Sequence, residues 1–85
     1  MVKKAKNILA ESNKYLIQNY QRLPIKIVRG EGSFVWDSDG NKYLDFISGI
    51  AVNNLGHQNP QVNKAILKQI NKFTHISNLF VIQEQ

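Results

Sequence analysis

Asp39-Gly40 stands between two short runs of β-branched and aromatic residues, and that arrangement restricts the middle of the chain to a hairpin. Asp and Gly tolerate positive φ, which a tight two-residue connection between antiparallel strands demands. Ser33-Phe34-Val35-Trp36-Asp37 is therefore expected as one strand and Lys42-Tyr43-Leu44-Asp45-Phe46-Ile47 as its return. A third strand is expected upstream at Ile25-Lys26-Ile27-Val28, which alternates and is β-branched, with Gly30-Glu31-Gly32 breaking it. The three make a small antiparallel meander.

Helical periodicity flanks the meander. Ala5, Ile8, Leu9, Ser12, Tyr15 and Leu16 recur at three- and four-residue intervals, so an amphipathic helix is expected over residues 4–19. It must stop before Pro24, which lacks an N–H and disfavours helical geometry just upstream. Asn59-Pro60 is a helix start, Asn as the cap and Pro at the first helical position. Val62, Ile66, Ile70 and Phe73 form the expected buried stripe of that second helix, with Lys64, Lys68 and Lys72 as a basic row opposite. The connection at residues 48–57 is too apolar for a solvent-facing loop, which implies burial against something not present in these 85 residues. The apolar run Ile76–Ile82 completes no element before Gln85. The expected class is α/β, as the N-terminal piece of a larger protein. Residues 1–58 form one segment (helix, meander and apolar loop), and residues 59–85 form a helix and the start of a connection.

With 85 residues the chain can hide only a modest share of its surface. It has no cysteine, so neither a disulfide framework nor a thiolate zinc site compensates. A net charge of +5 admits a small basic module that binds nucleic acid, whose mark would be strongly salt-dependent affinity. Aromatics are not interleaved with the lysine row, however, and a solvated helix face is the expectation, with no nucleic-acid partner. No stretch reaches the roughly 20 apolar residues of a membrane span. The run after Lys3-Lys4 is only Ile8-Leu9-Ala10, too short for a signal peptide. A soluble cytoplasmic protein without a membrane partner is expected.

Candidate chemistry is sparse. Gly30-x-Gly32 lacks the third glycine of a dinucleotide loop, since Val35 stands there, and a strand rather than a helix follows. Asp37-x-Asp39-x-Asn41 opens like a calcium loop, but Lys42 and Ser48 occupy the positions that require Gly and Glu, so hairpin-turn chemistry is the better reading. His57 and His75 have no spaced ligand partners and are expected to cap or pack. No nucleophile elbow is present.

A resemblance goes further. Arg22-Leu23-Pro24-Ile25, Arg29-Gly30-Glu31-Gly32, Val35-Trp36-Asp37, Tyr43-Leu44-Asp45-Phe46, Gly49-Ile50-Ala51-Val52-Asn53, Leu55-Gly56-His57 and His75-Ile76-Ser77-Asn78 occur in that order. From about Tyr15 to the last residue the chain resembles the start of class III pyridoxal-phosphate-dependent aminotransferases. The Gly-Ile-Ala-Val-Asn stretch is most similar to their acetylornithine branch; an ornithine or 4-aminobutyrate enzyme of the same class is the alternative.

The resemblance implies a fold type I enzyme several times longer than this chain, a homodimer with active sites at the subunit interface. It implies an amino-group transfer between N2-acetyl-L-ornithine and 2-oxoglutarate in arginine biosynthesis. Pyridoxal 5'-phosphate would serve as the electron sink. The lysine, acid and phosphate donors that anchor this cofactor are implied to lie downstream, so no catalytic or cofactor-binding residue is expected here, and the 85 residues alone are expected to be inactive. Two substrate-binding positions carry over. Tyr20 matches a substrate-contacting tyrosine, and Ile50 a pocket position that is often aromatic in relatives. The plain alternatives are helix-end packing for Tyr20 and core for Ile50. Apolar residues around Ile50 and at 79–82 also leave open a regulatory stub that pairs with the full enzyme's dimer surface.

Overall fold

The computed structural model describes the backbone of residues 2–85 and the side chains of residues 6–85. The order of elements is α1 (Val2–Tyr15), β1 (Ile27–Glu31), β2 (Phe34–Asp37), β3 (Lys42–Leu44), a short turn of helix α2 (Ser48–Ala51) and α3 (Pro60–Ile70).

α1 ends four residues earlier than its periodicity suggests. The Gln18 side-chain amide donates to the carbonyls of Asn13 and Leu16, at 3.0 and 2.8 Å, and so satisfies acceptors that a continued helix would have used. The chain then runs extended through Pro24 towards the sheet, and Ile8, Leu9 and Ser12 of α1 face Leu23 and Ile25 across a small gap.

The sheet is the expected meander, ordered β1-β2-β3 and antiparallel throughout. Several details differ from expectation. β1 begins at Ile27 instead of Ile25, and β3 ends at Leu44 instead of Ile47, because Asp45 turns the chain by accepting from the Ile47 and Ser48 amides. Gly30-Glu31 continues β1 instead of ending it: Gly30 pairs with Val35 and Glu31 with Phe34, and Gly32 makes the turn at φ 58°. One extra residue bulges out of β1 between Ile27 and Arg29. The β2–β3 connection is also one residue longer than a two-residue turn. Asp37 and Asn41 close it, with Asp37 N–H donating to Asn41 O at 3.0 Å, and Gly40 takes the left-handed position at φ 83°. The cause is the Asp37 carboxylate. Its Oδ1 accepts from the Asp39 and Asn41 amides, both at 2.9 Å, and its Oδ2 from Asn41 Nδ2 and Tyr43 Oη, at 3.0 and 2.8 Å.

Asp37 is 7 % exposed and is the one charged residue that the described chain buries. Burial pushes its carboxyl up, but the hydrogen bonds from Asn41, Tyr43 and the two amides outweigh burial and hold it below the usual carboxylate range. The same bond raises Tyr43 above the ordinary phenol value, helped by desolvation. On the opposite face Trp36 is flanked by its cross-strand neighbours: Arg29 Cζ lies 3.6 Å and Lys42 Nζ 5.5 Å from its ring centroid.

α3 begins as expected. Asn59 Oδ1 accepts from the Gln61 and Val62 amides at 3.0 and 3.2 Å, and Pro60 holds the first helical position. Val62, Ile66 and Ile70 share one side of α3 by their spacing, but they are exposed rather than buried, and α3 ends at Ile70, so Phe73 lies beyond it. Among the described residues no large side chain is fully buried, and contact between elements is confined to neighbouring strands. The radius of gyration is 17.2 Å, against about 12 Å for a compact domain of this length. The accessible surface is 7784 Å². A compact monomer of 9.7 kDa would expose about 5,100 Å². The excess, about 2,700 Å² on this chain alone, is as large as one partner's share of a large obligate interface. Within the described residues no helix is long and apolar enough to cross a membrane.

Candidate functional site

Three segments far apart in sequence meet at one edge of the sheet. Gly32 and His57 exchange both backbone hydrogen bonds, at 3.0 and 2.8 Å, in an antiparallel bridge. The His57 ring then lies directly on Gly30, where a Cβ would sit 2.7 Å from His57 Cγ. Gly56, at φ 80°, permits the approach from the other side, since a Cβ there would meet Gly32 O at 2.8 Å. Gly30 inside a strand is thus a place of close approach, the usual reason for a glycine in such a position.

Asp45 joins this bridge to the next loop. Its Oδ2 lies 2.7 Å from His57 Nε2. An ionised carboxylate can only accept, so Nε2 carries the proton and donates it. Asp45 Oδ1 accepts from the Ile47 and Ser48 amides at 3.0 and 2.9 Å. The Ser48 amide and then the His57 bond hold the Asp45 carboxyl below its ordinary value, against a smaller opposing effect of burial.

The loop that Asp45 holds is not the irregular connection expected from sequence. Ser48, Gly49, Ile50 and Ala51 have φ of 53°, 62°, 68° and 58°, a full left-handed helical turn. It is closed by Ala51 N–H and Ile50 N–H donating to Ile47 O and by Val52 N–H donating to Ser48 O, at 2.9, 3.0 and 2.8 Å. For a non-glycine residue this hand costs about 1–2 kcal/mol. Three such residues in sequence store about 3–6 kcal/mol, which the surrounding bonds must offset. Between the turn and the bridge lies an open cleft of about 320 Å³, lined among others by Gly32, Ser33, Asp45, Ser48, Asn53 and His57.

Ile50 projects from this turn and is 85 % exposed. Tyr20 lies in the extended connection after α1 and is 72 % exposed. Neither lines the cleft, and the structure leaves their substrate roles as expectations. His57 does pack and bond, whereas His75 borders a shallow apolar hollow with Phe73 and Ile76. Lys72 Nζ bonds Glu84 Oε1 at 3.1 Å, so the basic row is partly neutralised, and this bond lowers the Glu84 carboxyl. Among the described residues no group of three His, Cys, Asp or Glu could hold a metal. The cleft offers no lysine, and its one carboxylate is committed to His57 and two amides. The Asp45–His57 contact has no sequence signal, because its partners are twelve residues apart on different loops.

Comparison with known proteins agrees with this geometry. The family model for aminotransferase class-III matches residues 15–85. The chain is 50 % identical over 78 residues to the acetylornithine aminotransferase of Caldanaerobacter subterraneus subsp. tengcongensis, covering 92 % of this chain and 20 % of that protein. It therefore spans about a fifth of the length of the curated relative. Among solved structures it superimposes on acetylornithine aminotransferase from Elizabethkingia anophelis with a TM-score of 0.85 at 35 % identity, over 93 % of this chain and 21 % of that one. Ornithine delta-aminotransferase from Plasmodium falciparum gives a TM-score of 0.85 at 30 % identity, over 93 % of this chain and 20 % of that one. The fold of this chain is that of about a fifth of such an enzyme, and the chain belongs to the class III aminotransferases.

Proposed function

We propose that the chain is the N-terminal part of a pyridoxal-phosphate-dependent acetylornithine aminotransferase, which moves an amino group between N2-acetyl-L-ornithine and 2-oxoglutarate in arginine biosynthesis. Residues 1–58 serve its small domain, and residues 59–85 lead into the cofactor domain. The enzyme works as a cytoplasmic homodimer. The apolar surface left open here is covered by the rest of the polypeptide and by the second subunit. Pyridoxal phosphate supplies an electron sink when bound. Its anchoring lysine, acid and phosphate donors belong to the remaining four fifths of the enzyme.

Sequence identity carries this reading. The fold does not separate substrates, because acetylornithine and ornithine enzymes superimpose equally well, with TM-scores of 0.85 for both. Identity reaches 50 % with an acetylornithine aminotransferase over 92 % of the chain. Ile50 supports the same choice: an aliphatic side chain at the tip of the turn leaves room for an acylated amine, where an aromatic ring would fill that space. Tyr20 is proposed as the second substrate contact.

The test is steady-state kinetics of the full-length enzyme with N-acetylornithine and ornithine. A higher kcat/KM is expected for the acetylated substrate, and Ile50→Tyr should lower the ratio about tenfold or more, the scale of one misfitting pocket contact. Preference for ornithine, or a ratio unmoved by Ile50→Tyr, would count against the assignment.

A further inference from the structure

We infer that the Asp45–His57 pair is a positioning device for substrate selectivity: it pins the left-handed turn Ser48–Ala51 and so fixes the direction in which Ile50 points. The inference rests on the reading of Ile50 as a substrate-pocket residue.

Ile50 is 85 % exposed, so its own packing does not hold it in a left-handed conformation. Beyond the turn's own backbone hydrogen bonds, a second hold comes from outside it and can be followed atom by atom. Gly32 fixes the His57 backbone through two hydrogen bonds. Gly30 lets the His57 side chain come within a distance of the strand that a Cβ would not allow. His57 Nε2–H then fixes Asp45 Oδ2. Asp45 Oδ1 collects the Ile47 and Ser48 amides and so orients the peptides that enter the turn. Gly49 is the one residue of the four that takes this conformation freely, and a Cβ there would lie 2.9 Å from Val52 Cγ2. Strained backbone of this kind persists only where neighbouring groups over-determine it. Released, the three non-glycine residues would return to negative φ, and the Ile50 side chain would leave along a different direction.

The experiment uses the full-length enzyme and reads kcat/KM for N-acetylornithine relative to ornithine. His57→Phe keeps a ring over Gly30 and removes the donor; His57→Gln restores an N–H. The selectivity ratio should fall about tenfold in His57→Phe and recover in His57→Gln, with no further fall when His57→Phe is added to Ile50→Tyr. Gly30→Ala displaces the same ring from the sheet side and should lower the ratio in the same way, which gives a second route if His57→Phe folds poorly. A merely structural role would lower both specificity constants in parallel. An unchanged ratio in His57→Phe and Gly30→Ala, while Ile50→Tyr does change it, would overturn the positioning role alone. A ratio that Ile50→Tyr leaves unmoved would overturn the pocket reading and this inference with it.

Discussion

Replacing Gly56 by alanine tests the contact on which the site depends, and Gly40 supplies the control. Both glycines are left-handed, at φ 80° and 83°. A Cβ at Gly40 meets nothing within 4 Å, so Gly40→Ala should cost only the left-handed penalty, about 1–2 kcal/mol. A Cβ at Gly56 lands 2.8 Å from Gly32 O and 3.0 Å from Gly32 C, both backbone atoms that cannot swing aside. The bridge must open, and its two hydrogen bonds are worth about 0.5–1.5 kcal/mol each. Gly56→Ala should therefore destabilise the local structure by about 2–5 kcal/mol. Hydrogen exchange of the full-length protein, followed by mass spectrometry, reads such local opening directly. Amides around Gly40 should exchange about 5- to 30-fold faster in Gly40→Ala. The Gly32 and His57 amides should exchange about 30-fold faster or more in Gly56→Ala. Equal effects at the two sites, or unaltered exchange at Gly32 and His57, would refute the close approach.

Asn59→Ala should fray the first turn of α3 and cost about 0.5–2 kcal/mol, seen as faster exchange at Gln61 and Val62 and not beyond the first turn. Asp37 should make the meander acid-sensitive. Its folded carboxyl titrates below the unfolded one, near 3.9, so the unfolded state takes up protons first. Its contribution is full above about pH 5 and is lost as pH falls through the depressed folded value. An acid titration of Trp36 fluorescence should show this step, and Asp37→Asn should abolish most of it; an unaltered step would assign the sensitivity to another group.

The hairpin between β2 and β3 was legible because Asp39-Gly40 is rare chemistry with few uses. Its length was not, because the Asp37 carboxylate reaches forward to two amides and draws a third residue into the loop. Asn59-Pro60 gave the start of α3 for the same local reasons that the structure displays. The left-handed turn could not be read, since Ser48, Ile50 and Ala51 have no preference for that hand and only Gly49 hints at it. It is imposed by Asp45 and His57, a pairing set by tertiary approach. His57 could be placed as a packing residue but not matched to its partner. The helix stripes were recognised as apolar, yet periodicity states only that a face seeks cover. It does not say that the cover lies within the same 85 residues, and in α3 it does not. Tyr20 and Ile50 were reached by resemblance alone, as both are exposed residues with no local pattern.

On the proposed reading, this arrangement of strands and helices is completed by polypeptide outside these 85 residues. Scanning calorimetry of the isolated 85-residue chain addresses it most directly. With Phe46 89 % exposed and no fully buried large side chain among the described residues, the chain should melt without a cooperative endotherm. A sharp two-state transition absorbing about 60 kcal/mol, the enthalpy of a well-packed domain of this length, would contradict it.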